Sequence, residues 1–262
     1  MVGSDQSSPL KLLQISDCHL HAAIDSRMRG VTTHETFLSI LDHAQRDSHW
    51  PPEGILVTGD IVQDESRAGY LRFRETVEAF GLPVYCIPGN HDDPKLMGEL
   101  LSTAPFQVGG DARLNDWSLI LLNTFLTGED AGGLGEKRLE GLEYMLTTHV
   151  GQHVLICMHH QPVPTGSAWL DGVGLRDADQ FLALIDAYDN VRGVVYGHVH
   201  QASDRYRNNV RYLSAPATCS QFLPASAFFA MDDKPPGFRW LELDTDGGIK
   251  TRVVWVTQGA VQ

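Results

Sequence analysis

Apolar residues along this 262-residue chain fall into short runs separated by amphipathic stretches, and most runs end in a polar or glycine-containing turn. Leu10–Ile15, Gly54–Thr58, Pro83–Ile87, Trp117–Asn123, His153–Met158 and Val191–Tyr196 are five to seven residues of mostly apolar side chains, the signature of strands buried on both faces. The stretches between them carry helical periodicity. Thr32 and Glu35 have capping-box spacing ahead of Phe37, Leu38, Leu41 and Ala44 on one face. Ser66–Phe80 reads as a helix stopped by Gly81 and Pro83, and Pro94–Leu101 as a short one. Glu136–Thr148 carries Leu139, Leu142, Tyr144 and Leu146, and Asp177 and Gln180 can cap a helix bearing Phe181, Leu182, Leu184, Ile185 and Tyr188. Strand alternating with helix predicts an α/β fold.

The texture changes after His200. Arg205–Leu213 alternates and turns at Asn208-Asn209, while Phe238–Leu243 and Ile249–Val256 flank Asp246-Gly247-Gly248; both read as hairpins. No helix is expected beyond about residue 200. The expected organisation is a polar tail over residues 1–9 and one domain over 10–262, with about 205–262 as its β-rich completion or rim.

Composition narrows the class. The hydrophobic fraction of 42% with no low-complexity run suits a globular chain large enough for a substantial core. A net charge of −13 without a Lys/Arg cluster argues against nucleic acid or an anionic membrane as partner. No apolar stretch approaches the roughly 20 residues of a membrane span, and the N-terminus lacks a signal-peptide layout. Cys18, Cys86, Cys157 and Cys219 are far apart and form no CxxC, as expected for reduced thiols of a cytoplasmic protein.

Candidate chemistry lies where the strands stop. SDCHL places Asp17 and His19, TGDIVQD places Asp60, PGNHDD places Asn90, MHHQP places His159, and YGHVH places His198 and His200. Each segment alone is ordinary. Asp-x-His is common, and Asp60 could be a turn or cap residue. Together they deliver metal-ligand side chains to the carboxyl edge of the strands, where α/β folds bind ligands. In an extended segment Asp17 and His19 project to one side, and Cys18 to the other. Gly197 lets the backbone turn before His198 and His200, which could serve one ion or be split between two. A carboxylate such as Asp60 can bridge two cations. Strand alternation favours His159 over His160 as the ligand. Two divalent cations against Asp17 and Asp60 leave a locally positive site able to attract phosphate and acidify a bridging water. Mixed nitrogen and oxygen ligation suits Mn or Fe, with Zn and Co also compatible. His21, His34, His43, His49, His149 and His153 read as surface or supporting groups.

These motifs resemble the calcineurin-like metallophosphoesterase superfamily from about Lys11 to about Val254. More narrowly they are similar to the class III cyclic nucleotide phosphodiesterases, bacterial cyclic AMP phosphodiesterases in particular. TGDIVQDESRAGY, MHHQPVPTGSAWLDGVGLRD, SAPATCSQF and PPGFRWLEL carry that narrower likeness. The resemblance implies a four-layer α/β/β/α sandwich with two central sheets. It implies one metal held by Asp17, His19, Asp60 and His200, and the other by Asp60, Asn90, His159 and His198. His91 and Asn90 would be the catalytic residues, and His19, Asn90, His91 and His200 the substrate-facing ones. Related sequences often carry Trp where this one has Gly141. Protein Ser/Thr phosphatases of the superfamily carry Asp-Arg-Gly where this chain has Gln63-Asp64-Glu65, and Gly-Asn-His-Glu where it has Asp92. Purple acid phosphatases carry a Tyr ligand that Ile61–Asp64 lacks.

The expected activity is hydrolysis of 3′,5′-cyclic AMP to 5′-AMP, a metal-bridging hydroxide attacking the phosphorus while His91 protonates the departing 3′ oxygen or stabilises its charge. The first alternative is a broad-specificity or glycerophospho-phosphodiesterase on the same site. A nuclease would want a basic track, which is absent, and a non-catalytic scaffold would want a lost ligand. The expected partner is a small cyclic nucleotide or phosphodiester. Trp169 could stack on a purine or be a core or rim aromatic, and Thr218, Cys219 and Gln221 could approach the site. The β-rich end could be a lid or the interface of a homodimer.

Overall fold

The computed structural model describes residues 8–257; most of the expected polar tail, residues 1–7, lies outside them. In chain order the first half contains β1 (Leu10–Ile15), a ribbon of β2 (Arg27–Met28) and β3 (Val31–Thr32), α1 (Thr33–Gln45), β4 (Gly54–Val57), α2 (Arg67–Glu78), β5 (Val84–Cys86), α3 (Pro94–Leu100) and β6 (Phe106–Val108). Then come β7 (Gly110–Leu114), β8 (Trp117–Leu121), α4 (Gly135–Thr148), β9 (His153–Cys157), α5 (Ala168–Asp171), α6 (Ala178–Ile185) and β10 (Val191–Tyr196). The rest is β: β11 (Ser203–Arg207), β12 (Val210–Ser214), a second ribbon of β13 (Gln221–Phe222) and β14 (Met231–Asp232), β15 (Gly237–Leu243) and β16 (Ile249–Trp255).

Two six-stranded sheets form the centre, in the orders β16-β15-β1-β4-β5-β6 and β11-β12-β10-β9-β8-β7. β1, β4, β5 and β6 run parallel in the first sheet, and β8, β9, β10 and β12 in the second. Three apolar layers explain why the strands are apolar on both faces. On one side of the first sheet, Leu13, Ile15, Ile55 and Val57 pack against Phe37, Ile40 and Leu41 of α1 and Tyr70 and Phe73 of α2. Leu12 and Leu56, which alternate with them, face Leu155, Val195 and Leu213 between the sheets. Beyond the second sheet, Val154, Ile156 and Val194 pack against Leu142 and Leu146 of α4 and Phe181 and Ile185 of α6. Burying each of the larger aliphatic or aromatic side chains contributes about 1.5–3 kcal/mol. The result is a four-layer α/β/β/α sandwich.

The strand-rich end is built into both sheets rather than appended to them. β15 pairs antiparallel with β1, and β12 runs parallel to β10. The first hairpin begins at Ser203, two residues earlier than the pattern suggested, and turns at Asn208 with φ 52. Two caps also differ from expectation. Thr32 precedes α1 without a side-chain cap bond, and Asp177, at the start of α6, instead accepts from the Leu134 and Gly135 N–H groups at the start of α4. Tyr188 lies beyond the end of α6. No helix among the described residues is long and apolar enough to cross a membrane.

Candidate metal centre and active site

β1, β4, β5, β9 and β10 all end at the same edge, and the loops leaving them carry Asp17, Asp60, Asn90, His159 and His198. The backbone there is latched from loop to loop. The Asp17 N–H donates to the Gly59 carbonyl at 3.0 Å, His19 N–H to Asp60 O at 3.0 Å, and Gly197 N–H to His159 O at 3.1 Å. The His198 N–H donates to both Asp17 carboxylate oxygens, at 3.1 and 3.2 Å, tying the two sheets' loops together.

Five of the seven candidate ligands lie in the left-handed backbone region: Asp17 (φ 54), His19 (φ 47), Asp60 (φ 51), His198 (φ 66) and His200 (φ 46). Each such residue is strained by roughly 1–3 kcal/mol unless its surroundings enforce it, which the latches do. Asp17 and His19 are therefore neighbours through repeated left-handed turns, not through the extended chain that the spacing suggested. Gly197 also has a different reason to be glycine. Its φ is ordinary, but a Cβ would collide with Ser16 Oγ, the Thr58 carbonyl and the Asp17 carboxylate.

The side chains converge as two groups that meet at Asp60. In the first, His200 Nε2 lies 3.4 Å from Asp17 Oδ1 and 3.1 Å from His19 Nε2, and His19 Nε2 lies 3.8 Å from Asp60 Oδ2. In the second, His159 Nε2 lies 3.3 Å from the same Asp60 oxygen and 3.2 Å from Asn90 Oδ1, which is 3.0 Å from His198 Nδ1. The far nitrogens of two rings are fixed by carbonyls: His159 Nδ1–H donates to Thr58 O at 2.7 Å and His200 Nδ1–H to Ser220 O at 2.7 Å. Neutral His159 and His200 then point lone pairs, not protons, at their neighbours. Buried His19 Nδ1 and His198 Nε2 have no hydrogen-bond partner. With the rings neutral, nitrogen and oxygen lone pairs converge on both groups. A cation is the group this donor set fits, and the combination of imidazole, carboxylate and one amide oxygen suits a transition metal.

Electrostatics point the same way. Burial pushes His19 and His198 down to about 3, so both candidate ligands are neutral at ordinary pH. Burial also works to raise the carboxyls, but His200 beside Asp17 and His159 beside Asp60 outweigh it and hold both below the usual carboxylate range. Burial works to lower His159, but the Asp60 charge and hydrogen bond, with the Asp17 charge and the Thr58 carbonyl, together outweigh it and lift it to about 9.

One supporting residue was not legible beforehand. Asp92 is fully buried and accepts from the N–H groups of Gly89, Ile61 and Val62 and from the Tyr70 hydroxyl at 2.8 Å. It thereby joins the Asp60 loop to the Asn90 loop. Burial, with the Asp60 charge, raises its carboxyl to about 6. Only its place in GNHDD could have flagged it. His160 lies beside His198 but has both nitrogens occupied, by Thr124 Oγ1 at 2.8 Å and the Asp130 carbonyl at 3.2 Å. Cys219 lies within ligand reach of His19 and His200, and its thiol, pushed up to about 12 by burial, donates to the Asp17 carbonyl. Cys18 instead packs in the core beside Leu13 and Ile15. His91 is fixed by its N–H to Asp60 Oδ1 at 2.9 Å, and its ring Nδ1 lies 3.1 Å from Gln63 Nε2. His19, Asp60, Asn90, His91, His198 and His200 line a cavity of about 390 Å³ that Trp169 and Phe222 also border. Gln221 is turned away, its amide bonding Ala217 and Pro235 carbonyls.

Residues 10–202 match the calcineurin-like phosphoesterase family, and the chain belongs to it. Phosphoesterases of this family work with a dinuclear metal site, and the two groups around Asp60 are this chain's candidate ligands for one. The chain is 36% identical over 95% of its length to a 3′,5′-cyclic adenosine monophosphate phosphodiesterase, CpdA, of Haemophilus influenzae, covering 91% of that protein. It is 35% identical to the CpdA of Escherichia coli over 93% of this chain and 89% of that one. A 3′,5′-cyclic-nucleotide phosphodiesterase of Nostoc is 34% identical over 95% of this chain and 93% of its own length. Among solved structures, a dimetal phosphatase of Danio rerio has the same fold, with a TM-score of 0.63 at 14% identity over 96% of this chain and 100% of that one.

Proposed function

We propose that this protein hydrolyses 3′,5′-cyclic AMP to 5′-AMP. Its candidate metals are two transition ions, Mn or Fe by ligand type, one held by Asp17, His19, Asp60 and His200 and the other by Asp60, Asn90, His159 and His198. The observation that carries the reading is the single Asp60 oxygen standing 3.8 Å from His19 Nε2 and 3.3 Å from His159 Nε2, where the two groups of candidate ligands meet. The cyclic nucleotide substrate is supported by relatives so named that align along 93–95% of the chain. One folded domain in the cytoplasm, acting on a small diffusible substrate, suits the acidic charge.

Bound there, two cations supply positive charge to the phosphate oxygens and acidify a water. The chain's own residues do the rest. Asp17 and Asp60 leave the site short of neutralising two divalent ions, so an anionic diester is attracted. Asn90 offers its amide at the cavity surface. The Gln63 amide donates to His91 Nδ1, so a neutral His91 keeps its proton on Nε2, the form able to donate to the departing 3′ oxygen.

The test is product analysis with Mn-loaded protein on 3′,5′-cyclic AMP, 2′,3′-cyclic AMP, cyclic GMP, glycerophosphodiesters and bis(p-nitrophenyl) phosphate. Efficient release of 5′-AMP from the first, lost in Asp60→Ala, is expected. Cleavage of the synthetic diester with negligible action on 3′,5′-cyclic AMP would discard the substrate and keep the family.

A further inference from the structure

One wall of the cavity takes no part in the chemistry above. Phe222 lies flat on the His200 ring, centroids 4.1 Å apart and 9° from parallel. Trp169 meets Phe222 edge-on at 5.1 Å and Phe229 at 5.2 Å, and Phe222 meets Phe229 at 5.4 Å. The three rings form a continuous apolar surface from a candidate metal ligand out to Phe229, which is 44% exposed.

Two unspent donors border this surface. The indole N–H of Trp169 is buried without an acceptor, an arrangement proteins tolerate seldom and mostly where a ligand or water completes it. The Arg29 guanidinium lies 4.2 Å from the Phe229 centroid and 5.6 Å from that of Phe222, and pairs with no carboxylate or carbonyl among the described residues. Arg29 sits at the tip of the β2–β3 ribbon with φ 49, followed by Gly30 with φ 88. Positive φ at both central residues is the pattern of a type I′ hairpin turn, which Asn, Asp or Gly adopt far more readily than Arg. A long cation is thus kept on an unfavourable backbone, over aromatic rings, at the mouth of the cavity and unpaired in an acidic chain.

We propose that Arg29, Trp169 and Phe229 form a nucleobase subsite and set the preference for a cyclic nucleotide over a cyclic phosphate without a base. This rests on the cyclic nucleotide reading of the metal centre. A base offers a π-face to the rings and guanidinium, and in-plane ring nitrogens that accept from Trp169 and Arg29. The sugar and phosphate then extend along Phe222 toward His200.

The experiment compares kcat/KM for 3′,5′-cyclic AMP with that for its abasic counterpart, methyl riboside 3′,5′-cyclic phosphate, in wild type, Arg29→Ala, Trp169→Phe and Trp169→Ala. Both substrates present the same reacting ring, so their ratio isolates the base. The preference for cyclic AMP should fall about tenfold or more in Arg29→Ala and Trp169→Ala, chiefly through KM, and less in Trp169→Phe, which keeps a ring but loses the N–H. Arg29 is exposed, so its variant reads out even if Trp169→Ala folds poorly. An undiminished preference in Arg29→Ala and Trp169→Phe, or equal losses on both substrates, would overturn the subsite while leaving the phosphodiesterase intact. Wild-type protein inert on both cyclic substrates would overturn the cyclic nucleotide reading and the subsite with it.

Discussion

His159 is held between a carbonyl that fixes its Nδ1 proton and two oxygens, of Asp60 and Asn90, that face its Nε2. The Asp60 charge lifts its titration to about 9, so at pH 7 a cation must displace a proton to use that nitrogen. Uptake of Mn is expected to release about one proton per chain, with apparent affinity rising up to tenfold per pH unit and levelling off above about pH 9. Calorimetry in buffers of different ionisation enthalpy measures this, and a pH-independent affinity between pH 6 and 8 would contradict it. His91→Ala is expected to lower turnover about 10²- to 10⁴-fold with both metals retained; full activity in the metal-loaded variant would remove His91 from the mechanism. At this scale the candidate ligands were legible because only a few side chains bind metals, and they recur where apolar runs stop. Their left-handed backbone was not, since spacing fixes which residues are near and not the φ that brings them together. Asp92 and Arg29 were missed because their roles depend on partners far along the chain, the loop amides of Ile61 and Val62 for one and Phe222 and Phe229 for the other.

At the scale of elements, α2 does more than cover the first sheet. The Tyr70 hydroxyl donates to Asp92 at 2.8 Å and accepts the Asp93 N–H at 3.0 Å, anchoring the loop that carries Asn90 and His91. Tyr70→Phe should cost about 1–2 kcal/mol in urea unfolding, through the lost bond and the unsatisfied Asp93 amide, and should slow turnover. Unchanged stability and rate would show that Asp92 holds the loop alone. The apolar strands and longer helices were legible because each carries a single clear period. The ribbons at Arg27–Thr32 and Gln221–Asp232 were not, because two-residue strands have no period to detect. Capping was misjudged at Thr32 and Asp177, where a suitable side chain was present but, for Asp177, better used by the neighbouring helix.

The whole molecule brings the carboxyl ends of two sheets together, so one pocket receives candidate ligands from β1, β4 and β5 on one side and β9 and β10 on the other. The C-terminal strands β15 and β16 extend the first sheet, and β11 and β12 the second; the region read from sequence as a rim is therefore also framework. Its connecting segments supply the Ser220 carbonyl that orients His200 and the Phe222 ring beneath it. The central claim is that two cations sharing Asp60 cleave a cyclic nucleotide. Titrating Mn into metal-stripped protein while following 5′-AMP released from 3′,5′-cyclic AMP tests it most directly. Activity should saturate at two equivalents per chain and be absent in Asp60→Ala. Full activity at one equivalent, or two equivalents bound with no 5′-AMP formed, would contradict it.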